Sequence, residues 1–313
     1  VFLSLVVPVL AQDKPVTLKW KFVKDQPIYQ EMKTETKQTM KVMGSDVNQS
    51  QEQTFYFSWT PKEQKGDDWI IVQKILGVKM KIDIGGTKVA YDSTAAAPAG
   101  NPLADFFQKL VGSEFTITVT KDNKVAKVEG RDAFLQKLIG ANPQMEGLLK
   151  QILSEEALKE MAEPTFSVIP AGEVTKGKSW ERPSKLDMGP IGSYQNTYKY
   201  TYEGQTDKLD GIKVDTTVKY VPPADSAMQG GANALPFKIK SAELKSSNAS
   251  GSIKFNADKG RVESSEMKLD LKGELNIEIS GQTTKVELTQ TQTTSVKALD
   301  KNPVEKEKEK PKQ

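Results

Sequence analysis

SYQNTYKYTYE, residues 193–203, decides the fold. Tyrosines alternate with polar side chains at a period of two, so successive residues point to opposite faces of a strand. The same pattern recurs outward in both directions. Residues 212–220 follow with the same alternation and are placed to pair with 193–203 as a hairpin. Downstream, residues 237–245, 249–256, 260–271, 274–279 and 284–296 read as a meander, with turn signals at 258–260 and 280–282. Upstream, VTLKWKF at 16–22 sets Val16, Leu18, Trp20 and Phe22 on one side. Residues 29–42 and 48–60 flank a Gly44-Ser45-Asp46 turn, and residues 67–75 and 78–84 lead into Gly85-Gly86 with a return over 88–91. Alternation of this kind is that of antiparallel strands with one wet face.

Residues 101–163 break the pattern. PLADFFQKLV at 102–111 spaces Leu103, Phe106, Phe107 and Leu110 as a helix does, and Gly112 follows as a C-terminal glycine. A hairpin, FTITVTKDNKVAKVEG, comes next, turning at Asp122-Asn123. Residues 131–139 are helical and Gly140 stops them, while 142–153 carry a further helical run. Ser154 is an N-cap ahead of Glu155 and Glu156, opening one more helix that ends before Pro164. The fold class expected is therefore mainly β (α+β): one or two curved antiparallel sheets with a helical insertion near 101–163. The hairpin at 115–130 resembles SIKFNADKGRVESSEM at 252–267, so residues 12–130 and 164–300 read either as two related halves or as a chance likeness between Thr- and Lys-rich strands.

The two ends differ from this body. VFLSLVVPVLA at 1–11 is apolar and uncharged and too short to cross a membrane, which takes about 20 residues. It reads as the remnant of a signal peptide cleaved near Ala11, with the natural start upstream; a buried first strand is the alternative. The protein is then exported, periplasmic or extracellular, and soluble after cleavage. KNPVEKEKEKPKQ at 301–313 reads as a disordered charged tail, and residues 222–236 as a loop.

Composition removes whole classes of chemistry. The 313 residues contain no cysteine and no histidine. Disulfides, a thioether-linked lipid anchor, Cys- or His-ligated zinc, the Ser-His-Asp triad and a histidine general base are all excluded. What remains is carboxylate, Lys, Tyr or Ser-Lys chemistry, and no pair of residues stands out for it. The expectation is a non-enzymatic protein with no catalytic residues, no cofactor and no metal. With 44 basic and 41 acidic residues, and no basic stripe interleaved with aromatics, nucleic acid is not an expected partner. Gly85-Gly86 and the GPIG at 189–192 lack phosphate-loop spacing, and Asp67, Asp68 and Asp83 lack that of a calcium loop.

Four blocks carry a resemblance: residues 101–107 with 111–134 (NPLADFF, VGSEFTITVTKDNKVAKVEGRDAF), YDS at 91–93, KGKSW at 176–180 and SGSIKFNADKGRVESSEMKL at 250–269. In these the chain resembles an uncharacterised, domain-of-unknown-function family of exported bacterial proteins of planctomycete type. The resemblance implies an exported, β-rich protein and supplies no catalytic residues.

The central helices are unusually apolar. A strongly curved sheet with such helices across its open face can hold a lipid or another hydrophobic small molecule, in a groove lined by Phe106, Phe107, Leu110, Phe134, Leu138, Met145, Leu149 and Ile152. Alternatively, the helices complete a solid core. A structural or protein-interaction component of the cell envelope, using exposed strand edges, is the competing function.

Overall fold

The computed structural model describes residues 14–95, 102–223, 237–279 and 281–305, and the side chains from Phe106 onward in the first helix. The expected leader, most of the 222–236 loop and the end of the charged tail lie outside these residues.

Among the described residues twelve strands form one antiparallel sheet. The first block comprises β1 (Ile28–Val42), β2 (Ser45–Lys65), β3 (Asp68–Ile84), β4 (Thr87–Asp92), β5 (Glu114–Val119) and β6 (Val125–Glu129). The second comprises β7 (Ser179–Asp187), β8 (Ser193–Thr206), β9 (Leu209–Val221), β10 (Lys238–Asn256), β11 (Arg261–Ile279) and β12 (Gln282–Leu299). The order is β6-β5-β3-β2-β1-β12-β11-β10-β9-β8-β7, with β4 on the far half of β3. The first and last strands thus meet in the middle, along a register running from Tyr29 opposite Leu299 to Val42 opposite Val286.

The helices lie between β4 and β5 and between β6 and β7. α1 (Pro102–Leu110) precedes β5; α2 (Arg131–Ala141), a 3-10 turn at Pro143–Met145, α3 (Glu146–Ile152) and α4 (Glu155–Phe166) follow β6. Ser154 caps α4 by accepting the Ala157 N–H at 3.1 Å. α4 lies against both outermost strands, β6 and β7. Its Glu163 accepts the Val125 N–H of β6 at 3.3 Å, and its Glu160 accepts the Asp187 N–H of β7 at 3.1 Å. The sheet therefore curls until both edges reach one helix, and the helix takes up edge amides that no strand pairs.

Two apolar clusters fill one end of the curl. One joins β2, β3, β5 and β6 to the helices through Trp59, Ile71, Ile117, Leu138 and Phe166; the other joins β8–β11 to Leu18, Ile169 and Val174. Trp20 bridges them. Its ring meets Phe255 and Phe166 edge-on at 5.7 and 5.9 Å, and its Nε1–H donates to the Phe166 carbonyl at 2.9 Å.

Several expectations change. Residues 16–22 do bury alternate side chains, but they form no ladder strand. Among the described residues their one bridge is Val16 with Val174, the Lys21 N–H donates to the Gly260 carbonyl at 3.0 Å, and the segment crosses the end of the curl as a plug. The breaks expected near 76, 246–248 and 272–273 do not divide strands. β3 and β10 pass through their breaks with register shifts, and β11 runs through Gly273 unbroken. α2 runs through Gly140 to Ala141, and α4 runs through Pro164 to Phe166. Proline lacks the N–H for the last-turn bond, but here the buried Phe166 ring holds that turn in place. Residues 167–176 pack ahead of β7, and Gly177 and Lys178 exchange backbone hydrogen bonds with Tyr202 of β8 at 2.7 and 3.0 Å. The tail departs from disorder over its first five residues, where Val304 stands beside Gly77.

Candidate functional site

The curl gives each long strand an outer and an inner face. On β1 and β2 the outer face carries exposed charge, including Glu35, Lys37, Lys41 and Glu52. One cavity of about 580 Å³ lies among such groups, near the β1–β2 and β3–β4 turns, lined in part by Lys37, Asp46, Asn48 and Asp83. Its lining is polar and its sides are open.

The inner face is of two kinds. Near the plug it is packed. Farther along the same strands it turns polar in a strip three strands wide. Register sets Gln53, Thr34 and Thr294 side by side, then Gln51, Thr36 and Gln292, then Gln49, Gln38 and Gln290. Apolar residues border each row: Met80, Ile82 and Ile84 on β3, and Met267, Leu269 and Leu271 on β11. All nine strip residues are partly accessible, and the bonds among them are few: Thr34 Oγ1 to Thr294 Oγ1 at 3.3 Å and Gln292 Nε2 to Thr294 Oγ1 at 3.4 Å. Buried amides and hydroxyls need partners. Here they stay in reach of water. Bordering apolar side chains, among them Met32, Phe55, Leu269 and Leu275, are partly accessible too.

The residues singled out from sequence fall on the packed side of this divide. Phe107, Leu110, Phe134, Leu138 and Leu149 are buried in the helix-bearing cluster, with Phe115 meeting Phe134 edge-on at 4.9 Å. Phe106, Met145 and Ile152 sit at its margin, partly accessible. The Gln/Thr strip was not singled out. Its signal is in the sequence, where KTETKQT, NQSQEQT and TQTQTT are polar at both odd and even positions. A strand written that way has two wet faces.

A third wall, on β7–β9, is aromatic and polar. Trp180, Tyr200 and Val214 form one cross-strand row, Arg182, Tyr198 and Thr216 the next, and Ser184, Asn196 and Val218 a third. Trp180 stacks on Tyr200 at 5.6 Å and Tyr198 on Tyr200 at 6.1 Å. Burial pushes the Tyr198 and Tyr200 hydroxyls up, and that of Tyr220 up to about 12 with the neighbouring Tyr194 adding to it. These phenols are neutral donors at any physiological pH. Among the described residues, no group of three or more carboxylates stands close enough to hold a metal ion, and no helix is long and apolar enough to cross a membrane.

A strand-built, helix-closed protein with a partly open interior is the class these features define. The chain belongs to DUF6263, a family of unknown function whose profile matches residues 67–302. No curated protein matches it. Among solved structures it is similar to lipovitellin, described for its lipid–protein interactions, at 11% identity and a TM-score of 0.45 over 89% of this chain. The chain spans 25% of that lipovitellin chain. It is also similar to the Pseudomonas aeruginosa protein OccK5 (6% identity, TM-score 0.25, covering 89% of this chain and all of that one). DynF of the dynemicin biosynthesis pathway of Micromonospora chersina shows 8% identity and a TM-score of 0.20, covering 94% and 90%. At these scores none of the likenesses bears on function.

Proposed function

We propose that this chain is a non-enzymatic, exported bacterial protein that carries a lipid or other hydrophobic ligand on the concave face of its sheet. One observation carries the reading. Beyond the packed end, apolar side chains inside the curl, among them Met32, Ile82, Met267 and Leu269, remain partly accessible, while Met80 and Leu271 beside them are buried. A curved sheet that served only as a scaffold would close over such side chains, because each buried one contributes about 1.5–3 kcal/mol. The helices close the seam, and Phe106, Met145 and Ile152, at the margin of their core, are the members of the sequence-derived set that remain partly accessible.

The competing role, protein association through strand edges, is narrowed: α4 lies against β6 and β7 and takes up one amide on each, of Val125 and Asp187, which leaves β4, paired with β3 alone among the described residues, as the edge such a role would use. Export rests on the apolar leader, with cleavage near Ala11 leaving Gln12 as the first residue of the domain and the charged tail at its end.

Native mass spectrometry of the exported protein tests both parts. The carrier reading expects a co-purifying lipid that mild organic extraction removes and that rebinds afterwards. A protein that leaves the cell ligand-free and takes up no lipid overturns it. Retention of residues 1–11 on the exported protein would overturn the cleavage site.

A further inference from the structure

The chain has three arginines, Arg131, Arg182 and Arg261. Two are fastened. Arg131 ties α2 to the end of α3, donating from Nε to the Leu153 carbonyl at 2.6 Å and from Nη2 to the Lys150 carbonyl at 3.2 Å. Arg261 pairs with Glu263 and Asp300 at 3.0 and 2.9 Å. No hydrogen bond or ion pair joins Arg182 to any described residue. It is nevertheless half-buried, on the inner face of β7, while Glu181, Pro183 and Lys185 point outward.

Its neighbours are unsatisfied as well. The Trp180 indole Nε1, the Thr216 Oγ1 and the Asn196 Oδ1 are all buried atoms without a hydrogen-bond partner among the described residues. Register puts Arg182, Tyr198 and Thr216 in one row, with Trp180 one row before and Asn196 one row after. Directly opposed strand residues stand about 4.5–5.5 Å apart at Cβ. The guanidinium and indole can only donate, and the Thr216 and Tyr198 hydroxyls can do so too. Donors outnumber acceptors, so an anion satisfies the cluster. Along these three strands, from Trp180 to Leu186, Tyr194 to Tyr200 and Val214 to Tyr220, Arg182 alone among the inward residues is charged. A single planar cation matches a single carboxylate, which a guanidinium can take with two parallel bonds.

We infer that Arg182 anchors the carboxylate of a long-chain carboxylic acid, with Thr216, Tyr198 and Trp180 as further donors and the hydrocarbon tail lying along the apolar rows of the concave face. This rests on the carrier reading above and names its ligand class. Asn196 Oδ1 is placed to accept from the guanidinium once the head group fixes it.

The test uses the delipidated full chain, Nile red as a neutral reporter, and palmitic acid against methyl palmitate as competitors. The acid is expected to displace Nile red about tenfold to a hundredfold more effectively than the ester, the range of one charge-assisted hydrogen-bond set. Arg182→Met removes that preference by weakening the acid alone, and Thr216→Val reduces it several-fold. Equal competition by acid and ester in the unsubstituted protein overturns the anchor and leaves the carrier reading standing. Failure of Nile red and of both competitors to bind overturns both. Tighter binding of a phosphate-headed lipid such as lysophosphatidic acid overturns the assignment to a single carboxylate. Should Arg182→Met fail to fold, Arg182→Lys keeps the charge without the planar fork and is expected to lose most of the preference.

Discussion

β2 has two interiors. At one end Phe55, Phe57 and Trp59 face inward, with Trp59 buried and its Nε1–H donating to Gln30 at 2.7 Å. At the other end Gln49, Gln51 and Gln53 face inward from the same side of the same strand, all partly accessible. β2 keeps an unbroken register with β1 from one end to the other, while β3 on its other side bulges and exchanges β5 for β4 as its outer neighbour. What differs on the inside is the lid. Residues 16–22, α4 and the segment after it plug one end of the curl with Trp20, Phe22 and Phe166, and nothing comparable among the described residues fills the other. Curvature makes an inside; only a plug makes a core.

The sharpest way to break this distinction is to cut into the plug. Phe255 is fully buried and meets Trp20 edge-on at 5.7 Å. Phe255→Ala is expected to cost about 3–5 kcal/mol, read as a lowered midpoint in urea denaturation at unchanged slope. A loss under about 1 kcal/mol would mean that the plug is loosely packed and that the two ends do not differ in kind. Next in size is the seam. Ser154→Ala removes the α4 cap and is expected to cost about 1 kcal/mol by the same measurement. Because α4 serves both sheet edges, amide exchange should quicken at Val125 and Asp187 in that variant ahead of the strand centres.

Much of the sheet was legible because strands with one wet face write their burial in a period of two. The Tyr-rich β8, the β5–β6 hairpin and the Ser154 cap all follow local rules, and the structure keeps them. What was not legible depends on partners distant in sequence. Residues 16–22 have the alternation of a strand, but the plug position takes up their side chains and leaves their backbone almost unladdered. Pro164 marks a helix end by local rules, yet burial of Phe166 carries α4 past it. β10 reads as two strands because Ser246 to Asn248 interrupts its alternation, and a bulge absorbs the interruption. The site followed the same logic. Large apolar helix residues were the visible signal, and they mark packing. A strip made from three strands is visible only once register aligns KTETKQT, NQSQEQT and TQTQTT.

The polar strip offers the complementary test. If the far interior is wet, replacing its amides with apolar groups should leave stability within about 0.5 kcal/mol, as at a surface. Gln51→Leu and Gln292→Leu, adjacent to Thr36 in one row, are expected to fall in that range. A loss of several kcal/mol would show the strip to be a tightly satisfied polar core. A gain beyond about 1 kcal/mol would show that apolar residues there find cover.

The smallest effect is a pH dependence at the seam. Partial burial raises the Glu160 pKa above its ordinary 4.5, with Glu156 and Asp187 adding to it, while the Asp187 N–H and Lys185 act against it. The folded state therefore holds this proton more tightly than the unfolded chain. Its contribution is complete below about pH 4.5 and is lost as pH rises through the raised value. Asp92 and Glu263 run the other way: their partners lower their pKa values, so their contributions are lost as pH falls. The bare stability curve mixes both signs, and the difference between the unsubstituted protein and Glu160→Gln separates them. Measured by urea denaturation from pH 4 to 7 (about the range over which a raised carboxylate titrates), the unsubstituted protein should lose stability relative to Glu160→Gln as pH rises. A flat difference would mean that Glu160 is as well solvated as it is in the unfolded chain, and that α4 meets β7 through water instead of through a desolvated carboxylate.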